Sequence, residues 1–201
     1  MARRLDFYFD CSSPWTYLAF HAVQPLAVQA GAEIVWKPIL VGGVFNAVNQ
    51  TVYESRSRPN PLKQKYMLKD LADWAHLHGL AIVFPPSVFP VNSVKCMRGA
   101  LHALDEGKLV PYATAAFEAY WGSDLDISRE EVLAAIAERA GLDRRGFFAA
   151  LETDACKSRL RANTDELIAR GGFGSPTMFV GDSMFFGNDR LPLVQAALEA
   201  A

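Results

Sequence analysis

Ser13 opens the run Ser13-Pro14-Trp15-Thr16, directly after the apolar stretch Leu5-Asp6-Phe7-Tyr8-Phe9-Asp10. A hydroxyl at that point has two uses. It can cap a helix beginning at Pro14, where a missing N–H costs nothing. It can also donate to an anion, which the positive end of the same helix would favour as well. Asn188 and Asp189 carry a similar pair of readings, because Asn and Asp are common at helix starts and a helix start is also a carboxylate site. The other reactive side chains are poorer candidates. Cys11, Cys96 and Cys156 cannot all pair, and none stands in a Cys-x-x-Cys or at metal-ligand spacing. Cys96 and Cys156 read as structural thiols of a reducing compartment. Cys11 reads as a small buried hydrophobe, unless it is exposed enough to form a mixed disulfide with a small thiol. His76 and His78, two apart before Gly79, would point to different faces of a helix and read as surface residues. No metal site is expected.

These residues need a scaffold. Leu5 to Asp10 has the pattern of a first strand, followed by a helix from Pro14 to about Ala30 that stops at Gly31. Glu33 to Ile39 alternates as a second strand, and the β-α-β order implies a parallel pair with a crossover helix. Leu40 to Asn60 reads as a polar loop. Helices are expected over Leu62–His78, Asn92–Glu106, Val110–Trp121, Ser128–Ala140, Asp143–Glu152 and Ala155–Ala169, with a proline-bearing loop from Gly79 to Pro90. Ser128 followed by Glu131 has the spacing of a capping box. Thr177–Val180 and Met184–Phe186 form a hairpin closed at Gly181-Asp182, and Asn188 caps a last amphipathic helix. The expected class is therefore α/β. Residues 1–201 form a single thioredoxin-like domain with a helical insertion over approximately residues 61–170, its two outer parts pairing in one sheet.

The chain has 201 residues, 51% hydrophobic, enough to bury a sizeable core within one folding unit. A formal net charge of -2 gives no electrostatic case for nucleic acid or an anionic membrane. Arg3-Arg4 precedes an apolar stretch too short, and broken by Asp6, to be an export signal. No apolar run approaches the ~20 residues that span a bilayer. A soluble cytoplasmic protein is expected.

Three segments carry a family likeness. Phe7-Tyr8-Phe9-Asp10-x-x-Ser13-Pro14-x-x-Tyr17-Leu18-Ala19 resembles the N-terminal signature of 2-hydroxychromene-2-carboxylate isomerases and their relatives, the kappa-class glutathione transferases. Phe173-Gly174-x-Pro176-Thr177 resembles their cis-proline segment. Phe186-Gly187-Asn188-Asp189-Arg190-Leu191 resembles their closing turn into the last helix. Trp74-Ala75 and Val83-Phe84-Pro85 look more like the isomerase branch. In this likeness Ser13 and Thr16 occupy the positions where redox relatives carry their cysteine pair. Cys11 departs from the family pattern, which is apolar at that point.

The resemblance implies glutathione as cofactor. The Ser13 hydroxyl would donate to its sulfur and favour the thiolate, scarce at neutral pH for a thiol of pKa ~8.5. Pro176 would be cis and present the Ser175 backbone to the cysteinyl part of the tripeptide as a short added strand. N–H groups near Asn188 would take the γ-glutamyl carboxylate and Asp189 the ammonium. Lys63 would face the glycyl carboxylate, or be an ordinary solvated lysine, and Asn49 would contact the tripeptide from its loop. Trp15, Tyr66 and Phe84 are candidate walls of an acceptor site, and Asn92, after Phe89-Pro90, would reach the acceptor substrate. The implied activity is glutathione-dependent isomerisation of a small aromatic carboxylate of the 2-hydroxychromene-2-carboxylate type, in aromatic catabolism, by a homodimer. The alternatives are a kappa-like glutathione S-transferase, a disulfide oxidoreductase, against which the missing Cys-x-x-Cys argues, and a non-catalytic glutathione binder.

Overall fold

The computed structural model describes residues 3–200; Met1, Ala2 and Ala201 lie outside the described residues. The first strand, β1 (Arg3–Phe9), is buried on both faces, and this places it inside a sheet. A helix, α1 (Pro14–Ala30), returns the chain to β2 (Ala32–Pro38), which pairs parallel to β1. Gly31 ends α1 in the left-handed conformation at φ 61°, its N–H closing onto the Ala27 and Val28 carbonyls. From the far end of the chain, β3 (Thr177–Val180) pairs antiparallel with the other edge of β1, and β4 (Ser183–Phe186) completes the hairpin. The order is β2-β1-β3-β4. This mixed sheet with its β1-α1-β2 and β3-β4-helix parts is a thioredoxin-like α/β fold.

The helices between the two parts are α2 (Val41–Val48), α3 (Thr51–Ser57), α4 (Pro61–Leu77), α5 (Val94–Asp105), α6 (Leu109–Phe117), α7 (Glu130–Arg139), α8 (Arg144–Leu151) and α9 (Asp154–Ala169). A last helix, α10 (Leu191–Glu199), follows β4. Phe7 and Phe9 face the main core, with Phe20, Phe117 and Trp121. Tyr8 faces the opposite side and packs with Ile39, Val44, Leu167 and Phe179. On that side Tyr8 donates to Glu166 at 2.8 Å, and Arg170 bonds Asp6 and lies 3.7 Å over the Phe179 ring, which ties α9 to the sheet.

Three sequence expectations fail here. Residues 40–60 are mostly helical, not loop. The helices α2 and α3 are short and rich in exposed positions, so their stability comes from tertiary anchors that no periodicity records. The Ser128–Glu131 capping box does not form. The Ser128 N–H and hydroxyl both turn back to Asp126 Oδ1, at 2.9 and 2.6 Å, and α7 begins after Arg129 without a side-chain cap. Asn188 does not cap the last helix either. Gly187, at φ 105°, turns the chain so that Asn188 is buried in a 3-10 turn (Asn188–Arg190), and α10 starts after Arg190.

Inside the helical layer, α5 crosses α6 and α8 closely at Gly99. A methyl group at that position would lie 2.7 Å from two Phe147 ring carbons and closer still to the Tyr112 hydroxyl, which donates to the Cys96 carbonyl at 2.9 Å. Both aromatic side chains are fully buried. Gly99→Ala is expected to destabilise by about 1–3 kcal/mol, the usual cost of overpacking, as a lowered urea midpoint at unchanged slope.

Candidate active site

Ser13 is the N-cap of α1. Its backbone is extended, and its Oγ accepts from the Thr16 N–H at 3.3 Å, with Pro14 in the first turn. The same hydroxyl donates to the Ser175 carbonyl at 3.1 Å, across a sequence separation of 162 residues. The Ser175–Pro176 bond is cis. The Ser175 hydroxyl lies 2.8 Å from Thr16 Oγ1 and accepts from the Asp10 N–H at 3.0 Å. The strand end, the helix start and the proline segment are thus one hydrogen-bonded unit, with Thr16 as a hydroxyl pillar where a redox protein would need a second sulfur.

Asp10 lies beneath this unit and is fully buried. Its carboxylate accepts from the N–H groups of Ser12 and Val41, both at 2.9 Å, and from the Ser93 hydroxyl at 3.0 Å. It therefore joins the Ser13 turn to the start of α2 and to the approach of α5. Burial pushes the carboxyl above its usual 3.8, against the pull of those donors. A folded-state value above the unfolded one means that the folded protein holds the proton more tightly. This contribution to stability is full at low pH and is lost as pH rises from the unfolded value through the folded one. Asp10→Asn removes the titration, so the variant's stability deficit should narrow as pH is raised from about 4. Urea unfolding of both proteins over that range checks this; a deficit that widens would show that the donors stabilise the carboxylate more than burial penalises it.

Asn49 ends α2, and its Nδ2 donates to the Phe173 carbonyl at 3.1 Å, so it reaches the proline segment directly. Gly187 N–H donates to the Pro176 carbonyl at 3.1 Å, which brings the Asn188-Asp189 turn to the other side of that segment. Asn188 is buried, and its Nδ2 has no hydrogen-bond partner among the described residues. Asp189 is half-exposed beside Arg190 at 3.3 Å. Trp15 and Phe84 pack in one cluster with Leu18, Leu71, Trp74 and Ala75. Phe84 also stacks on Trp121, with ring centres 6.2 Å apart, and Phe89 meets Trp121 edge-on at 6.4 Å. The fully buried Trp121 indole donates to the Cys11 carbonyl at 2.9 Å, which sets this aromatic wall two residues from Ser13.

The remaining candidates are not gathered in this way. Lys63 stands in the first turn of α4 with an exposed side chain and, among the described residues, no ion-pair partner. Tyr66 is 66% exposed and packs in none of the apolar clusters, so the structure does not make it a wall. Asn92 is exposed and its Oδ1 accepts from the Val94 N–H at 3.1 Å, a local cap for α5. Cys11 is fully buried, its N–H donating to Met97 Sδ at 3.3 Å, and burial pushes its thiol well above the ordinary value. A mixed disulfide there is therefore not favoured. A surface recess of about 330 Å³ beside α6 and α7 shares none of the site residues. Its Glu118 pairs with Arg139 and its Glu131 with Arg129, so each carboxylate already has a partner.

Sequence reasoning gave no role to Asp10, Thr16, Trp121 or Arg56. The first two stand inside the N-terminal motif, yet only burial and partners reveal what they hold.

A model of the DSBA-like thioredoxin domain matches residues 4–199. A 2-hydroxychromene-2-carboxylate isomerase of Pseudomonas putida is 34% identical over 194 residues, which cover 96% of this chain and 93% of that protein. The chain belongs to the 2-hydroxychromene-2-carboxylate isomerase family. A solved structure of a selenomethionine 2-hydroxychromene-2-carboxylate isomerase superposes with a TM-score of 0.83 at 32% identity, covering 98% of this chain and 95% of that one. Glutathione S-transferase kappa 2 of Caenorhabditis elegans is 27% identical over 203 residues, 94% of this chain and 89% of that protein. The isomerase family thus has kappa transferases among its relatives. Among the described residues of this member no helix is long and apolar enough to cross a membrane.

Proposed function

We propose that this chain is a glutathione-dependent isomerase of 2-hydroxychromene-2-carboxylate-type substrates in aromatic catabolism. The observation that carries the reading is the Ser13 hydroxyl at the start of the 17-residue α1, hydrogen-bonded to Ser175. The chain's residues fit the tripeptide at three points. The Ser175 carbonyl is a strand-type acceptor at the serine, Asn49 borders the proline segment, and Asn188 holds a buried amide donor with no protein partner. Lys63, with no ion-pair partner among the described residues, suits the glycyl carboxylate, and Asp189 suits the ammonium.

The chemistry glutathione supplies when bound is reversible addition of its thiolate, ring opening, bond rotation and elimination. The chain's part is to make the thiolate available and to hold the acceptor. The Ser13 O–H can rotate from the Ser175 carbonyl to donate to sulfur, and that carbonyl then accepts a peptide N–H of the ligand. The amide end of α1 adds positive potential at the same place. Trp15 and Phe84 exclude water from one side, and Asn92 stands at the rim. A serine in this position stabilises a thiolate without trapping it as a disulfide.

The test mixes protein, glutathione and 2-hydroxychromene-2-carboxylate and follows ultraviolet absorbance together with free thiol. Isomerisation without net thiol loss is expected. Stoichiometric thiol consumption would instead make the chain a kappa-like transferase, a reading favoured by its kappa relatives. Saturating glutathione should also raise the melting temperature by mass action. No shift and no turnover would sink both readings. Dimerisation and a cytoplasmic location belong to the same proposal and rest on the family likeness and on the three unpaired cysteines.

A further inference from the structure

Arg56, on α3, is placed between two aromatic rings. Its guanidinium carbon lies 5.6 Å from the centre of Phe45, on α2, and 5.5 Å from that of Phe89, in the loop before α5. Among the described residues it makes no ion pair, and it donates no hydrogen bond to the protein. Contact with ring faces uses the flat sides of a guanidinium and leaves its in-plane N–H donors available. Those donors match a carboxylate two at a time. The position is also fixed relative to the chemistry. Phe89 and Phe84 meet across 5.4 Å and both rest on Trp121, whose indole holds the Cys11 carbonyl beside Ser13. At the junction of α2 and α3, Asn49 is bonded to Phe173 next to the Ser175 segment. The cation therefore stands at the outer edge of the aromatic wall, with the serine at its inner end.

We infer that Arg56 is the residue that binds the carboxylate of the aromatic acceptor, while the ring lies along Phe84 and Phe89. This rests on the isomerase reading above, since it names the group in that site that selects an acidic aromatic substrate. Arg56 is exposed, and the two rings restrict its guanidinium so that less freedom is lost when a carboxylate meets the fork of donors. Lys63 carries a similar charge, but it stands on α4 with no ring to orient it, and the reading above assigns it to the tripeptide.

The experiment titrates the wild-type protein, Arg56→Gln and Arg56→Lys with 2-hydroxychromene-2-carboxylate and with its neutral methyl ester, by calorimetry, and measures glutathione affinity in parallel. The wild type is expected to bind the acid more tightly than the ester. Arg56→Gln should weaken acid binding by about 10–100-fold and leave the ester and glutathione within about twofold. Arg56→Lys should recover only part of the loss, because an ammonium lacks the planar fork. Equal loss for acid and ester would mean that Arg56 only packs the wall, and overturns the inference. So would weakened glutathione binding with unchanged acid binding, which would move Arg56 to the tripeptide. Acid binding that depends on Arg56 in a protein without turnover would leave this inference standing and overturn the isomerase reading instead.

Discussion

Ser13→Ala should lower turnover about 100-fold while leaving glutathione affinity within about threefold. The size follows from what one preorganised donor to a developing or borrowed anion contributes at other enzyme sites, about 10²–10³ in kcat. The affinity is spared because the tripeptide's ends would be held elsewhere, by Asn188, Asp189, Asn49 and Lys63, and its middle by the Ser175 backbone. Ser13 also caps α1, so the variant should lose about 1 kcal/mol of stability. That loss is too small to unfold an ordinary domain, and it separates the two roles of the hydroxyl. Steady-state kinetics, calorimetric glutathione binding and urea unfolding on one preparation give all three numbers. Turnover that survives would remove Ser13 as the hydrogen-bond donor to the thiolate, whatever the stability result.

Trp121→Ala should be the most destabilising single change among those considered, about 3–5 kcal/mol. The indole is fully buried and meets Tyr120 at 4.5 Å as well as Phe84 and Phe89, so its loss opens a cavity under the wall. It also removes the donor to the Cys11 carbonyl. Trp121→Phe isolates that second part. It keeps much of the ring volume but leaves a buried carbonyl unpaired, at about 1–3 kcal/mol. The Phe variant should remain folded and should raise the KM for the acceptor more than that for glutathione, because the surface carrying Phe84 and Phe89 is what loses its support. A chemical-denaturation series with paired kinetics decides this. A Phe variant as stable as the wild type would show that the Cys11 carbonyl finds another partner.

Much of this arrangement can be read from the residues alone, and the reasons are local. The apolar stretch Leu5 to Phe9 and the Ser13-Pro14 start give β1 and α1 because both signals lie within a few residues. The Gly181-Asp182 turn gives the β3–β4 hairpin in the same way. The helices α2 and α3 are invisible because they are held by distant groups: the Asp10 carboxylate at the Val41 N–H, and Phe173 at Asn49. Ser128 and Asn188 have helix-cap types, but a nearer acceptor claims the first and an inward turn buries the second. In the site, Ser13, Ser175, Pro176 and Asn188 come from family likeness and converge in space. Tyr66 does not, since nothing in its spacing reveals which face of α4 meets α1. Arg56 and Trp121 need contacts between segments far apart in the chain, and no single-sequence pattern carries those.

The bond between Ser13 and Ser175 has a consequence for how the molecule is made. Its two ends are 162 residues apart, and β1, made long before β3, finds its second neighbour only when β3 has left the ribosome. Closing so long a loop costs entropy before any contact repays it. The helical middle can gather its local contacts early, but the Ser13 hydroxyl has no acceptor at Ser175 until the proline segment has been made. A truncated product ending within α9 would therefore carry every helix from α1 to α8 and still lack the proline segment. The hydrogen-bonded unit around Ser13 therefore assembles only after β3 has been made.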